Sequence, residues 1–172
     1  MKEEELYREL DGTFKELLQV ISSFDQEQID QLPFEDSWTA GQIAEHLILA
    51  NSGFADLVNG PVEETERQPG EMVEGIRTGL QDDDAKAKSP ESVVPRHTVH
   101  QKAELLSALE EIRAKILEAA GTLDLSRTCL AFPIPVLGLL TRLEALCFVL
   151  YHTQRHVRQL KNVRRRVGGI VC

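Results

Sequence analysis

The stretch ALCFVLYHTQRHVRQLKNV, residues 145–163, places Ala145, Val149, His152, His156, Leu160 and Val163 at spacings of three and four. That period belongs to one face of an α-helix, and it sets two imidazoles about one turn apart on the same inward stripe. A second stripe, Ile43, His46, Ala50, Gly53 and Leu57, carries a third imidazole. An imidazole on a core-facing position must be hydrogen-bonded or metal-bound, because burying an unsatisfied polar ring is costly. Three neutral imidazoles with one position left open is the usual arrangement of a catalytic-type divalent metal site. His46, His152 and His156 are therefore the candidate ligands, and the fold has to bring them together.

Outward from that stretch, Thr141-x-x-Glu144 caps the last helix, which is predicted to run to about residue 167, before Gly168-Gly169. A first helix over 3–24 carries Leu6, Leu10, Phe14, Leu17, Ile21 and Phe24 at helical spacing, and a loop through Gln31, Pro33 and Asp36 follows. Thr39-x-x-Gln42 is a capping box opening a second helix over 40–59, ended by Gly60-Pro61. Thr98-x-x-Gln101 reads as another box, opening a third helix through Leu105, Leu109, Ile112 and Ile116 that stops at Gly121. Residues 61–97 differ, being rich in Pro, Gly and acidic residues. They hold one helical piece around 71–80, and Asp82-Asp83-Asp84, Ser89-Pro90 and Pro95 make the rest loop-like. A connection of that length inside a compact domain has a natural use as a crossover that lets the second and third helices run parallel. The loop over 122–138 contains Pro133 and Pro135, and no stretch alternates like a strand.

The fold class expected is all-α: one domain over 1–172, an up-down-down-up four-helix bundle with a long crossover between helices two and three. Helices two and four then run antiparallel. At ~1.5 Å per residue, His46 lies about 10 Å from the start of helix two and His156 about 15 Å from the end of helix four. Those ends point the same way, so the three rings can meet at one level.

Composition narrows the setting. A chain of 172 residues with 42% hydrophobic and 27% charged residues is an ordinary globular protein. No signal-peptide-like segment opens the chain, and the most apolar later stretch, 129–140, is short and broken by prolines, so cytoplasm is the expected location and no membrane is a partner. Cys129, Cys147 and Cys172 are odd in number and without a CxxC pair, which argues against disulfides and a thiolate zinc site. The net charge of −9 makes nucleic acid a poor partner, although Arg155, Arg158, Lys161, Arg164, Arg165 and Arg166 form a basic run. That run reads as a solvated helix end complementing the dipole. Arg155 and Arg158, flanking inward histidines, are expected to point away from any site.

HTQRH lacks the glutamate of the HExxH zinc peptidases, which removes that chemistry. His97 and His100, beside the Thr98 box, are expected to be solvent-exposed. Trp38 reads as a hydrophobic staple anchoring the loop before helix two, or as a group at the mouth of the pocket. Glu45 follows the wrong helical face to serve as a base, and Glu144 lies two turns below His152.

Trp38-Thr39-x-x-Gln42-Ile43-x-x-His46-Leu47 together with His152-x-x-x-His156-x-x-Gln159-Leu160 resembles the DinB-like (YfiT-like) metal-binding bundles over nearly the whole chain. The resemblance implies an up-down-down-up bundle, commonly a homodimer, with a divalent metal on His46, His152 and His156. It further implies an enzyme of the thiol-dependent transferase type, using bacillithiol, mycothiol or glutathione as cosubstrate with a small electrophile. Zinc or nickel is the expected metal, with iron compatible. The alternatives are a metal-dependent hydrolase that needs no thiol, and a non-catalytic metal-binding module of the stress response. A core of this size should fold without metal, which counts against a purely structural ion.

Overall fold

Helix α1 (Glu3–Ser22) forms where the sequence repeats apolar residues every three or four positions, and Leu6, Leu10, Phe14, Leu17 and Ile21 are all buried. Its first turn holds Glu3, Glu4 and Glu5, which favour the positive end of the helix dipole. The computed structural model describes residues 2–82 and 89–168. Of the features read from the sequence, Asp83, Asp84, Gly169 and Cys172 lie outside them.

A single turn, α2 (Gln26–Ile29), interrupts the expected loop and buries Ile29. Helix α3 (Ala40–Asn59) opens as read: the Gln42 amide donates to Thr39 Oγ1 at 3.2 Å, and the Thr39 amide donates to Gln42 Oε1 at 3.0 Å. Helix α6 (Arg142–Val167) opens through the equivalent Thr141 and Glu144 pair. Helix α5 (Lys102–Thr122) corrects the expectation at its start, because no box forms at Thr98. His100 is drawn away to Asp30, whose Oδ2 accepts from its amide at 2.7 Å. The Lys102 amide, otherwise an orphan donor of the first turn, finds Gln26 Oε1 at 2.9 Å instead. The cap comes from α2, more than seventy residues earlier, so no local motif encodes it.

Contacts between named residues fix the direction of each helix. Arg142 reaches the Val58 carbonyl, Asn51 bonds Thr153 and His46 meets His152, so α3 and α6 are antiparallel. Arg113 bonds Asp11 and Lys102 reaches the Phe24 carbonyl, so α1 and α5 are antiparallel. Thr13 with Gln154, Glu16 with Lys161 and Ser23 with Arg164 make α1 and α6 parallel. The order is up-down-down-up, and the core lies among α1, α3, α5 and α6.

The crossover is anchored at three places. Val62–Glu63 (β1) pairs antiparallel with Thr128–Cys129 (β2), two short strands that the sequence reading missed because two residues carry no alternation. Arg67 makes a forked ion pair with Glu144, whose side chain is fully buried, at 2.5 and 2.6 Å. Helix α4 (Val73–Gln81) then packs on α6, and a 3-10 turn at Glu91–Val93 settles on α3. Among the described residues no helix is long and apolar enough to cross a membrane.

Candidate metal centre

The three sequence-predicted histidines converge. His46 Nε2 lies 3.2 Å from His152 Nε2, and His156 Nε2 lies 3.1 Å from the same atom. One ring nitrogen from each falls within 4.8 Å of the others. His46 and His156 are buried and His152 is half-buried. Helix α3 contributes His46 from its second turn, and α6 contributes His152 and His156 at i and i+4.

The outer nitrogens say which way the lone pairs face. His46 Nδ1 donates to the Val93 carbonyl at 2.7 Å; a carbonyl only accepts, so the proton sits on Nδ1 and Nε2 presents a lone pair. His156 Nδ1 donates to Gln159 Oε1 at 2.8 Å, with the same consequence. His152 Nδ1 is buried with no hydrogen-bond partner among the described residues. Two lone pairs thus point at one spot, and a third ring is packed against them. Nitrogens bound ~2.0–2.1 Å from one tetrahedral ion stand about 3.3 Å apart, close to the 3.2 and 3.1 Å that separate His152 Nε2 from the other two. Burial holds all three rings below the ordinary histidine value, against the Val93 and Gln159 bonds, and His156 is brought down to about 4. The three rings are therefore neutral at physiological pH, the form that binds a metal. The residues fit a divalent ion.

The cluster lies in a cleft of about 1310 Å³. Trp38, expected as a staple, is both half-buried against the core and a wall of this cleft, its ring 5.2 Å from that of His46. Phe148 stacks on Phe54 at 4.7 Å and lies beside His152, and the loop Phe132 to Pro135 closes another side. Arg155 and Arg158 correct the expectation that they point away. Both are half-buried and line the cleft, because the opening is wider than one helical stripe and their long side chains reach around it. Among the described lining residues Asp36 is the sole carboxylate.

His97 is exposed, as read, but His100 is not. Its ring is clamped between two carboxylates, Nδ1 to Asp30 Oδ1 at 2.6 Å and Nε2 to Glu45 Oε2 at 2.9 Å. Burial would lower its pKa, but Glu45 and Asp30 outweigh that and raise it. Glu45 turns away from the cleft, as its helical position predicts, and takes the amides of Arg96 and His97 at 3.1 Å. Burial would raise its carboxyl, yet His100, His97 and those amides bring it down to about 2. Glu45 and its neighbour His46 therefore hold the end of the crossover together, one at residues 96–97 and the other at Val93. Sequence reasoning missed Val93, a backbone acceptor with no sequence signature. Gln159 carried a signal, its place three residues after His156.

Fold and cluster together define a four-helix bundle with a three-histidine centre at one end. The DinB superfamily model matches residues 9–160, and the chain belongs to that superfamily. It is 23% identical over 152 residues to the uncharacterized protein YuaE of Bacillus subtilis (strain 168), which spans 86% of this chain and 90% of YuaE. Among solved structures, it is similar to YfiT from Bacillus subtilis, described as a probable metal-dependent hydrolase with an unusual four-helix bundle topology. There the TM-score is 0.63 at 15% identity, covering 97% of this chain and 88% of the other. A second, TT2238, a four-helix bundle protein, gives a TM-score of 0.59 at 21% identity, covering 94% and 99%.

Proposed function

We propose that the protein is a divalent-metal-dependent enzyme that transfers a small-molecule thiol to an electrophile, with His46, His152 and His156 as the metal ligands. The observation that carries this is the pair of outward Nδ1–H bonds, to Val93 and Gln159, which turn two Nε2 lone pairs onto one point. A divalent ion held by these three rings would supply Lewis acidity and would lower the pKa of a thiol or water bound beside them. The chain's own residues then do the rest. His46, His152 and His156 hold the centre, and Trp38, Phe54 and Phe148 keep water from the reacting atoms.

One feature favours a thiol over water as the nucleophile. A hydrolase needs a proton donor for its leaving group, and the described cleft offers one carboxylate, Asp36, on a loop rather than beside the ligands. The protein's own described thiols are also out of play. Burial raises both Cys129 and Cys147, the latter to about 12, so on this reading the thiol is a cosubstrate rather than a side chain of the described protein. YfiT's description favours the hydrolase alternative, and the two separate by thiol dependence.

The test is elemental mass spectrometry on wild type and His46→Ala purified in parallel, followed by turnover assays with and without added thiol. About one equivalent of a divalent metal in wild type, lost in the variant, with turnover only when thiol is present, is the expected outcome. Metal retained by His46→Ala would overturn the ligand set. Turnover without thiol would overturn the transferase in favour of the hydrolase.

A further inference from the structure

The basic run of α6 divides between two faces. Lys161 pairs with Glu16 and Arg164 donates to the Ser23 carbonyl, so both are spent on α1. Arg155 donates to the Leu80 and Asp82 carbonyls and closes the end of α4. Arg158, Asn162, Arg165 and Arg166 lie on the side of the cleft.

A second hollow of about 790 Å³ adjoins the first and shares Phe34, Ser37, Trp38, Gln159 and Asn162 with it. Together they form one groove along α6. Its near end is the apolar cleft holding the imidazoles. Its far end sets Arg165 and Arg166 against Pro33 and Phe34, and the Arg166 guanidinium lies over the Phe34 ring at 4.9 Å from its centre. Arg158, Arg165 and Arg166 line the described groove, whose described carboxylate is Asp36, in a chain of net charge −9. Arg165 and Arg166 are exposed and Arg158 is half-buried, and their shared sign lies along a concave wall that continues from the candidate centre. From His156 to Arg165 the helix rises about 13 Å at ~1.5 Å per residue. One ligand of small-molecule size can reach both.

We infer that the far arm of the groove is an oxyanion subsite. In it, Arg158, Arg165 and Arg166 bind the anionic end of an elongated, apolar-bodied small molecule whose reactive end lies at His46, His152 and His156. Guanidinium forks suit such a group, and their stacking against Phe34 holds one of them in place. The subsite names the substrate class for the proposed enzyme and rests on that reading for what happens at the reactive end. The binding itself does not need the metal.

Trp38 is the single tryptophan and lines both hollows, so its fluorescence reports occupancy of either. The probe pair is 6-phenylhexanoate and its neutral amide, titrated into the full chain with metal loaded and after chelation, at about pH 8. Charge-assisted bonds at the arginines should make the acid bind about tenfold tighter than the amide or more. That preference should shrink to within about twofold in Arg165→Gln/Arg166→Gln and weaken in Arg158→Gln, with high salt acting in the same direction. Equal affinity of acid and amide in wild type, no saturable Trp38 response, or a preference that survives both variants would overturn the subsite. A chain that takes up no metal yet keeps the preference sinks the metal reading and leaves the subsite standing.

Discussion

Gln159 shows how much a single side chain can decide. Its Oε1 accepts from His156 Nδ1 at 2.8 Å, and this bond fixes which nitrogen faces the cleft. Gln159→Leu removes the acceptor, so His156 can carry its proton on Nε2 instead. Partners of this kind tune metal affinity by roughly 10–100-fold, and a chelator-competition titration of Gln159→Leu should show a loss in that range with the fold intact by circular dichroism. Unchanged affinity would remove Gln159 from the site. The cysteines give a second test at this scale. Cys147, pushed up to about 12 by burial, and Cys129, also raised, should react with Ellman's reagent only on unfolding. The candidate ligands were legible because they sit at helical spacing on stripes that also hold core residues. Val93 was not, because any residue offers a carbonyl. His100 was misread because its burial depends on Asp30 and Glu45, which lie seventy and fifty-five residues away.

Among the elements, the start of α6 has the most to lose. Burial by itself raises the Glu144 carboxyl, but Arg67 and the amides of Thr141 and Met72 outweigh it and hold the group below its ordinary value. Removing one partner of a buried pair typically costs about 3–5 kcal/mol, and Glu144→Ala should lose stability of that order in urea unfolding, because it frees the crossover and the helix cap together. A depressed carboxyl stabilises fully above its unfolded value and loses that contribution as pH falls through its folded one. Wild type should therefore weaken in acid more steeply than Glu144→Ala. The helices of the bundle could be read because their periods and two of their caps are local. The boxes at Thr39 and Thr141 form with partners three residues on. The one at Thr98 fails because a tertiary partner takes its neighbour, and the strands at Val62–Glu63 and Thr128–Cys129 exist only through each other.

For the whole molecule, the Asp30–His100–Glu45 network joins the turn after α2, the face of α3 and the entry to α5. It closes over Gly41, where a β-carbon would stand 2.6 Å from Asp30 Oδ1 and closer still to the His100 ring. Gly41→Ala should lower the melting temperature by several degrees, since parting even one such pair costs about 1–3 kcal/mol. The network also has a pH signature opposite to that of Glu144. His100, raised by its carboxylates, stabilises fully below its unfolded value and loses that contribution as pH rises through its folded one. Melting temperature should decline in wild type as pH rises above the ordinary histidine value and flatten there in His100→Asn. An identical slope in both would leave the network without this role.

The order of the helices has a consequence for synthesis. His46 and His152 are 106 positions apart, and α6 is the last bundle helix to be made. A nascent chain therefore displays one imidazole of the three until α6 leaves the ribosome, and contacts of such long sequence separation close late. On the proposed ligand set, metal uptake during refolding should follow the last bundle helix rather than precede it.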